Sequence, residues 1–376
     1  MVSRAWLSPS RVYLLKHVSL TADNESFVSS ILSLSPYICT YVKNLDIRRF
    51  KWCGTCIPSR ISLLSHLAEK VTEIHVEDVL FDDFQHMLDL ISCFPSLKVL
   101  SLLRVTWDVD TVTSKSLPIS TTPRTPAKLK LKGLPATLST LRAYHVNIKT
   151  VVDWLFMHPK TPQIPHLAWG PIEQNYIIPS ANYIAQLGPD LKNYSTLLPP
   201  EGAPYAPYAY YSAPTGILEE PESMKHLIKQ HVALYGVRPS TILRSVTHIH
   251  SIHFHRFLCD AIERNQTGSF WAPKTLTAFS AANLMRWIIL DVELNMVSEV
   301  DKQQIPWIYL DDVLESEVYS NLECVLFRVL TDVNIVALEN LLSARLPMTY
   351  ERGIMKFVKV PRSSRYHDVL PLISSC

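Results

Sequence analysis

One arrangement of apolar residues recurs through this chain: apolar, two residues, apolar, one residue, apolar. It reads Val42-x-x-Leu45-x-Ile47, Val71-x-x-Ile74-x-Val76, Leu97-x-x-Leu100-x-Leu102, Leu138-x-x-Leu141-x-Ala143 and Ile164-x-x-Leu167-x-Trp169. Weaker copies follow at Leu191-x-x-Tyr194, Ile249-x-x-Ile252-x-Phe254, Leu276-x-x-Phe279-x-Ala281 and Leu322-x-x-Val325-x-Phe327. The middle apolar positions are separated by 29, 26, 41, 26, 27, 58, 27 and 46 residues. Five of these are one period, 58 is two, and 41 and 46 are a period with an insertion, which places the unit in the ~20 to 29-residue range of short solenoid repeats.

Each unit has a simple physical reading. The last two apolar residues of a copy flank a polar one, as Leu45 and Ile47 flank Asp46, which is the period of a short strand with one buried face. A helical spacing then follows, as in Phe84, Met87, Leu88 and Ile91 after Asp82 and Asp83, whose carboxylates can cap the helix start. Ser180 ahead of Ile184 and Leu187 reads as a second such start, and Val151, Val152, Leu155 and Phe156 as a further helix. One strand and one helix cannot bury their apolar sides alone, so stability must come from stacking on neighbours. The fold expected is α/β, a leucine-rich-repeat-like solenoid (horseshoe) of short parallel strands and helices.

Composition fits an ordered chain. With 376 residues, 47% hydrophobic and 19% charged, there is material for a large core. A net charge of +2 argues against a nucleic-acid surface, which needs a strongly basic domain. No apolar run reaches the ~18 residues of a membrane span, and the N-terminus lacks a secretory signal, so no membrane partner and an intracellular location, cytoplasmic and/or nuclear, are expected. Seven cysteines without the dense spacing of a disulfide scaffold agree with that location. Residues 108–135, with Pro123, Pro126, Lys128, Lys130 and Lys132, read as a loop inserted within a repeat. Residues 199–214 are low in complexity and rich in Pro, Ala and Tyr. The expected organisation is therefore a first strand within 1–20, an N-terminal array over 21–198, a joint at 199–214 and an irregular C-terminal array over 215–376.

Two motifs invite a chemical reading. Trp52-Cys53-Gly54-Thr55-Cys56 looks like the redox motif of thioredoxin-like proteins, in which a helix N-terminus lowers the first thiol's pKa. The proline-containing strand of that family has no match downstream, so a pair of loop thiols is preferred and a thiol redox protein using Cys53 and Cys56 is the distant alternative. His248-x-His250-x-x-His253-x-His255 could supply imidazole ligands for zinc. However, 250 and 253 fall on opposite faces of a regular strand, and the first downstream acids are Asp260 and Glu263. His253 and His255 are read instead as outward residues flanking Ile252, Phe254 and Phe257, with no metal and no cofactor. The sequence has no Gly-x-Ser-x-Gly elbow, no phosphate-binding glycine loop and no His-Glu-x-x-His helix, so no enzyme activity is expected.

Residues Val2 to Leu20, with Val2, Trp6, Arg11, Leu14 and Leu15 at the matching places, resemble the end of the F-box segment and the following strand of fungal F-box proteins with leucine-rich-repeat-like arrays. The resemblance continues through Pro36 to Leu45, Phe94 to Leu102, Val152 to Leu155, Asn321 to Val325 and Leu346 to Ile354, and is poor over 199–300. It implies a substrate receptor of a cullin–RING ubiquitin ligase, in which the F-box grips a Skp-type adaptor and the array holds a protein target. The leading F-box helices would precede Met1, so the F-box is expected to be truncated, and a stand-alone repeat scaffold without ligase recruitment is the alternative. The repeats also depart from the leucine-rich consensus: Phe50, Val79, Val105 and Val146 stand where an asparagine would form an inner ladder, and the backbone amides there must be satisfied otherwise.

Alternation then assigns a recognition face. The strand residues expected to line the concave sheet are Asp46, Arg48, Glu73, His75, Glu77, Ser101, Arg142, Tyr144, His253, His255 and Arg328. Mixed charge with an aromatic suits a protein partner better than a phosphate backbone.

Overall fold

The computed structural model describes residues 15–34, 36–52, 64, 67–107, 134–156, 162–170, 177–197, 246–259, 271–277, 279, 283–301 and 305–361. The chain divides into two compact units, Met1–Ile164 and Pro165–Cys376. The joint expected at 199–214, most of the inserted loop 108–135, the two cysteines Cys53 and Cys56, and Val2, Trp6, Arg11 and Leu14 lie outside the described residues.

The first unit contains the strands β1 (His17–Thr21), β2 (Asn44–Arg48), β3 (Lys51–Trp52), β4 (Glu73–Glu77), β5 (Leu80–Phe81), β6 (Val99–Leu103), β7 (Thr106–Trp107) and β8 (Thr140–Tyr144). Its described helices are α1 (Glu25–Leu34), α2 (Phe84–Ser92) and α3 (Ile148–Phe156). Strands β1, β2, β4, β6 and β8 pair in parallel, and the register aligns the central apolar residue of every repeat: Val18 with Leu45, Leu45 with Ile74, Ile74 with Leu100 and Leu100 with Leu141. The repeat ruler read from the sequence is thus the strand register itself. The flanking residues Ile47, Val76, Leu102 and Ala143 join Leu45, Ile74, Leu100 and Leu141 in a core that excludes water almost completely.

After each of four strands the chain turns through a left-handed residue, at Arg49, Asp78, Arg104 and His145, with φ of 56°, 54°, 51° and 53°. None of these is glycine, so each corner carries the steric cost of a Cβ in that region. The turn puts the corner amide to use: Arg49 N–H donates to Glu77 O, Asp78 N–H to Leu103 O and Arg104 N–H to Tyr144 O, each at 3.0 Å. Beyond the corner Phe50, Val79 and Val105 stack in the core, and β3, β5 and β7 form a second parallel sheet. Leu80 N–H donates to Phe50 O at 2.9 Å and Thr106 N–H to Val79 O at 3.0 Å, so this short ladder satisfies the backbone where an asparagine would otherwise serve.

The helices close the units from the other side. Asp83 caps α2, its carboxylate accepting from Gln85 N–H at 3.0 Å, as expected, and Met87, Leu88, Leu90 and Ile91 are buried along one flank. Helix α3 buries Ile148, Val151, Val152, Trp154 and Leu155, and Trp154 meets Phe84 edge to face with ring centroids 5.9 Å apart.

The second unit contains β9 (His166–Gly170), β10 (Asn193–Leu197), β11 (Ser251–Cys259), β12 (Trp287–Glu293), β13 (Cys324–Val329) and β14 (Met355–Lys359), with α4 (Ile177–Leu187), α5 (Trp271–Leu276), α6 (Trp307–Glu315), α7 (Ile335–Arg345) and α8 (Pro347–Glu351). The strands are again parallel, aligning Leu167, Tyr194, Ile252, Ile288, Val325 and Met355. Two expectations are corrected here. The copy placed at Leu276, Phe279 and Ala281 does not start a strand, since Leu276 ends α5, while Ala281 lies outside the described residues; the repeat in that interval is Met285, Ile288 and Leu290 on and before β12. Ser180 does not cap a helix, because α4 begins at Ile177 and carries Ser180 buried within it. A third difference is in β11, where the left-handed residue Arg256 (φ 58°) falls inside the strand and shifts its register against β12 between Phe254 and Leu258. The expected α/β class of parallel strands and helices in leucine-rich-repeat-like units is what the structure shows.

Candidate functional site

On the strand face opposite the leucine core, the two units carry different polar arrangements. In the first unit the side chains of β2 and β4 and the corner residues of β4 and β6 form a run of alternating charge. His17 Nε2 lies 3.0 Å from Asp46 Oδ2, Arg48 Nη2 donates to the same oxygen at 2.7 Å, and Arg48 Nε is 3.4 Å from Glu77 Oε2. Arg104 continues it, donating through Nη2 to Glu77 Oε1 at 2.8 Å and through Nε to Asp78 Oδ1 at 2.5 Å. The hydrogen bond from the Arg104 guanidinium holds the Asp78 carboxyl below its usual range. Arg48, Glu73, Glu77, Asp78 and Arg104 keep between about a quarter and half of their side-chain surface in solvent. His75 lies 4.0 Å from Glu73 in the same row, and Ser101 is half-buried beside it on β6. Asp46, Arg142 and Tyr144 share this face by alternation and are buried, at 3%, 7% and 2% exposure.

In the second unit the corresponding face holds a buried network. Register puts Ser195 of β10 opposite His253 of β11, and Asp291 of β12 opposite Arg328 of β13. Asp291 is fully buried and stands at the centre: His253 Nε2 is 2.8 Å from Oδ1, His255 Nδ1 is 2.8 Å from Oδ2, and Arg328 Nε is 3.1 Å from Oδ1 as an ion pair. The two imidazole centroids are 3.8 Å apart. On its far side His255 Nε2 is 2.9 Å from Ser195 Oγ. Ser251, at the start of β11, donates to Asn193 Oδ1 at 2.6 Å, and Asn193 Nδ2 lies 2.6 Å from His166 Nδ1, so the polar row extends to β9.

Proton positions follow from the chemistry of the centre. Burial alone would push the Asp291 carboxyl up, but the permanently charged Arg328 and the two histidines outweigh it and hold the group well below the carboxylate range. An ionised carboxylate only accepts, so His253 donates through Nε2 and His255 through Nδ1. Burial pushes the His253 imidazole down to about 3, against the upward pull of Asp291, so that ring is neutral. With Nδ1 donating to Asp291, the neutral tautomer of His255 offers Nε2 to the Ser195 hydroxyl.

His253, His255 and Asp291 bring three possible metal-ligating atoms within 4.8 Å of one another. Their geometry does not favour a cation. Both carboxylate oxygens are engaged at hydrogen-bond distance, and a divalent ion there would face the Arg328 guanidinium in a buried site.

Of the residues expected on the recognition face, Arg48, Glu73, His75, Glu77 and Ser101 are partly exposed. Asp46, Arg142, Tyr144, His253, His255 and Arg328 occupy the expected side of their strands and are nonetheless buried. His248 is exposed and His250 half-buried ahead of β11, apart from the Asp291 network. Of the five matching residues of the F-box-like segment only Leu15 is described, half-buried just before β1. Asp291, Asp78, Arg104 and Ser195 were not picked out by sequence reading. The signal that could have found Asp291 is a charged residue between apolar ones in the Ile288-x-Leu290-x-Val292 run, one residue beyond the last strand position the motif marks.

Comparisons with known proteins add a likeness and no family. No family model matches the chain, and no curated protein matches it. Among solved structures it is similar to the leucine-rich repeat-containing protein LegL7 from Legionella pneumophila, with 12% identity, a TM-score of 0.44, and coverage of 88% of this chain and 90% of that one. The parallel registers and left-handed corners establish the repeat fold of each unit without reference to that likeness. No described helix is long and apolar enough to cross a membrane.

Proposed function

We propose that the chain is a repeat scaffold that binds a protein partner through the outward strand face of its first unit. The observation that carries this reading is the run of alternating charge from Asp46 through Arg48, Glu77 and Arg104 to Asp78, with His17 Nε2 against Asp46 at its start. Its charges are held by one another rather than freely rotating, so a partner with complementary charge meets a surface already ordered, and mixed signs select a protein over a polyanion. The finer reading, a substrate receptor of a cullin–RING ubiquitin ligase, is supported by the resemblance of Val2 to Leu20 and of the later repeat segments to F-box proteins; the stand-alone scaffold is its alternative.

A pull-down from cell extract tests both levels. The double variant Glu73→Lys, Glu77→Lys reverses two partly exposed positions whose ion pairs are worth only about 0–1 kcal/mol each, so folding persists. Captured partner is expected to fall at least tenfold while the melting temperature moves by a few degrees. Undiminished capture by the folded variant would remove the interface. Arg142→Glu is unsuitable for the purpose, since Arg142 is buried and its replacement reports on packing. Recovery of a Skp-type adaptor with a cullin supports the ligase reading, and partners without either support the scaffold.

A further inference from the structure

We propose that Ser195 is a covalently reactive serine, activated by His255 and positioned through Asp291, which accepts acyl or phosphonyl groups from activated electrophiles. The inference is independent of the interaction surface on the first unit. Its basis is an unbroken line of hydrogen-bonding atoms: Ser195 Oγ to His255 Nε2 at 2.9 Å, and His255 Nδ1 to Asp291 Oδ2 at 2.8 Å. A hydroxyl is a weak nucleophile at neutral pH and becomes effective when a neighbouring base takes its proton as it attacks. The base must be held in the right tautomer by a third group, which is what an ionised carboxylate at Nδ1 does.

The surroundings distinguish this line from a chance contact. Asp291 is held in place from two further sides, by His253 Nε2 at 2.8 Å and Arg328 Nε at 3.1 Å, and Arg328 supplies the counter-charge that keeps the buried carboxylate ionised. His255 and Asp291 are 2% and 0% exposed, whereas Ser195 is partly exposed, so the attacking atom is the member of the line nearest to solvent. Register brings the line together: β11 runs regularly against β12 through Phe254 opposite Leu290, which carries His255 to the level of Asp291, and the ladder shifts only beyond it, around the left-handed Arg256.

The chemistry balances without any further reactant. As Oγ bonds to an acyl carbon, its proton passes to His255 Nε2; the ester C–O bond then breaks and the departing oxygen takes that proton, leaving an acyl-serine and an alcohol. Water reverses the sequence, giving up a proton to Nε2 while its oxygen bonds to the acyl carbon, and Oγ leaves reprotonated. With a fluorophosphonate the Oγ–P bond forms, the P–F bond breaks, and the proton leaves with fluoride. Ser195 and His255 are the reacting groups, and Asp291 is a positioning residue.

The test is labelling of the full chain with a fluorophosphonate probe, read by intact mass and peptide mapping. One label on Ser195 is expected, with a rate at least about 100-fold above that of the urea-unfolded chain, the lower end of what a positioned general base contributes. Ser195→Ala removes one partly exposed hydroxyl and is expected to fold and lose the label; His255→Gln, if its circular dichroism is native, is expected to label at least about 100-fold more slowly. The proposal is overturned if the native chain takes up no label, if the label maps elsewhere, or if native and unfolded chains react alike. Unslowed labelling of folded His255→Gln also overturns it.

Discussion

Tyr319 shows what one polar atom contributes in this fold. Its ring is 1% exposed, and its hydroxyl donates to Leu276 O, at the end of α5, at 2.6 Å, while burial pushes the phenol pKa well above its ordinary value. Tyr319→Phe keeps the ring and removes the shorter of two hydrogen bonds to that carbonyl, the Phe279 N–H remaining at 3.3 Å, at a cost of about 0.5–1.5 kcal/mol. The expected result is a lower urea midpoint with an unchanged slope, and an unshifted midpoint would show that water replaces the hydroxyl. At this scale the sequence was legible where side chains pack and opaque where they pair. The apolar triplets marked core residues correctly because burial follows from alternation alone. Asp291 was missed because its partners, His253, His255 and Arg328, come from other strands, and only register brings them together. The corners at Arg49, Asp78 and Arg104 were equally silent, since left-handed backbone is signalled in a sequence mainly by glycine, and none stands there.

Among the elements, α8 depends on a residue from a different helix. Asp311 of α6 is 2% exposed and accepts from Met348 N–H and Thr349 N–H at 3.0 Å each, and from the Thr349 hydroxyl at 2.5 Å. These amides are the unsatisfied donors of a helix start, where Pro347 occupies the first turn without a donor of its own. Asp311→Ala is therefore expected to act as the loss of a cap, costing about 2 kcal/mol, the upper end for N-caps, because the site is buried. Amide exchange at Met348 and Thr349 should quicken more than in α7; equal change in both helices would mean general loosening rather than uncapping. Nothing in the local sequence announces this cap, because acceptor and donors are 37 and 38 residues apart along the chain. The Asp83 cap of α2 was legible because donor and acceptor are neighbours in sequence. The misplaced copy at Leu276 failed for a related reason: Leu276 and Phe279 are both buried with apolar spacing, and periodicity alone does not separate a helix end from a strand of similar length.

Across the whole chain, the two units differ in how their polar strand faces meet acid. In the first unit the paired side chains Arg48, Glu77, Asp78 and Arg104 are partly exposed and screened, so each ion pair contributes little. In the second, His253 is neutral when folded, with its pKa pushed down to about 3 by burial, whereas the unfolded chain binds a proton near 6.5. Between those two values the unfolded state holds more protons than the native one, so stability rises with pH and is lost as pH falls through that window. Asp291, held low by Arg328 and the histidines, acts in the same direction below its ordinary 3.8. Acidification from pH 7 to pH 5 is thus expected to lower the protection factors of amides in β11, β12 and β13, taken against the intrinsic exchange rate at each pH, while β2, β4 and β6 keep theirs. His253→Gln retains a donor for Asp291 and removes the titration, so it should flatten the dependence. A second unit whose protection grows towards pH 5 would require His253 to be charged in the folded state. Because the two units need not unfold together, the measurement has to be residue-resolved rather than a single midpoint.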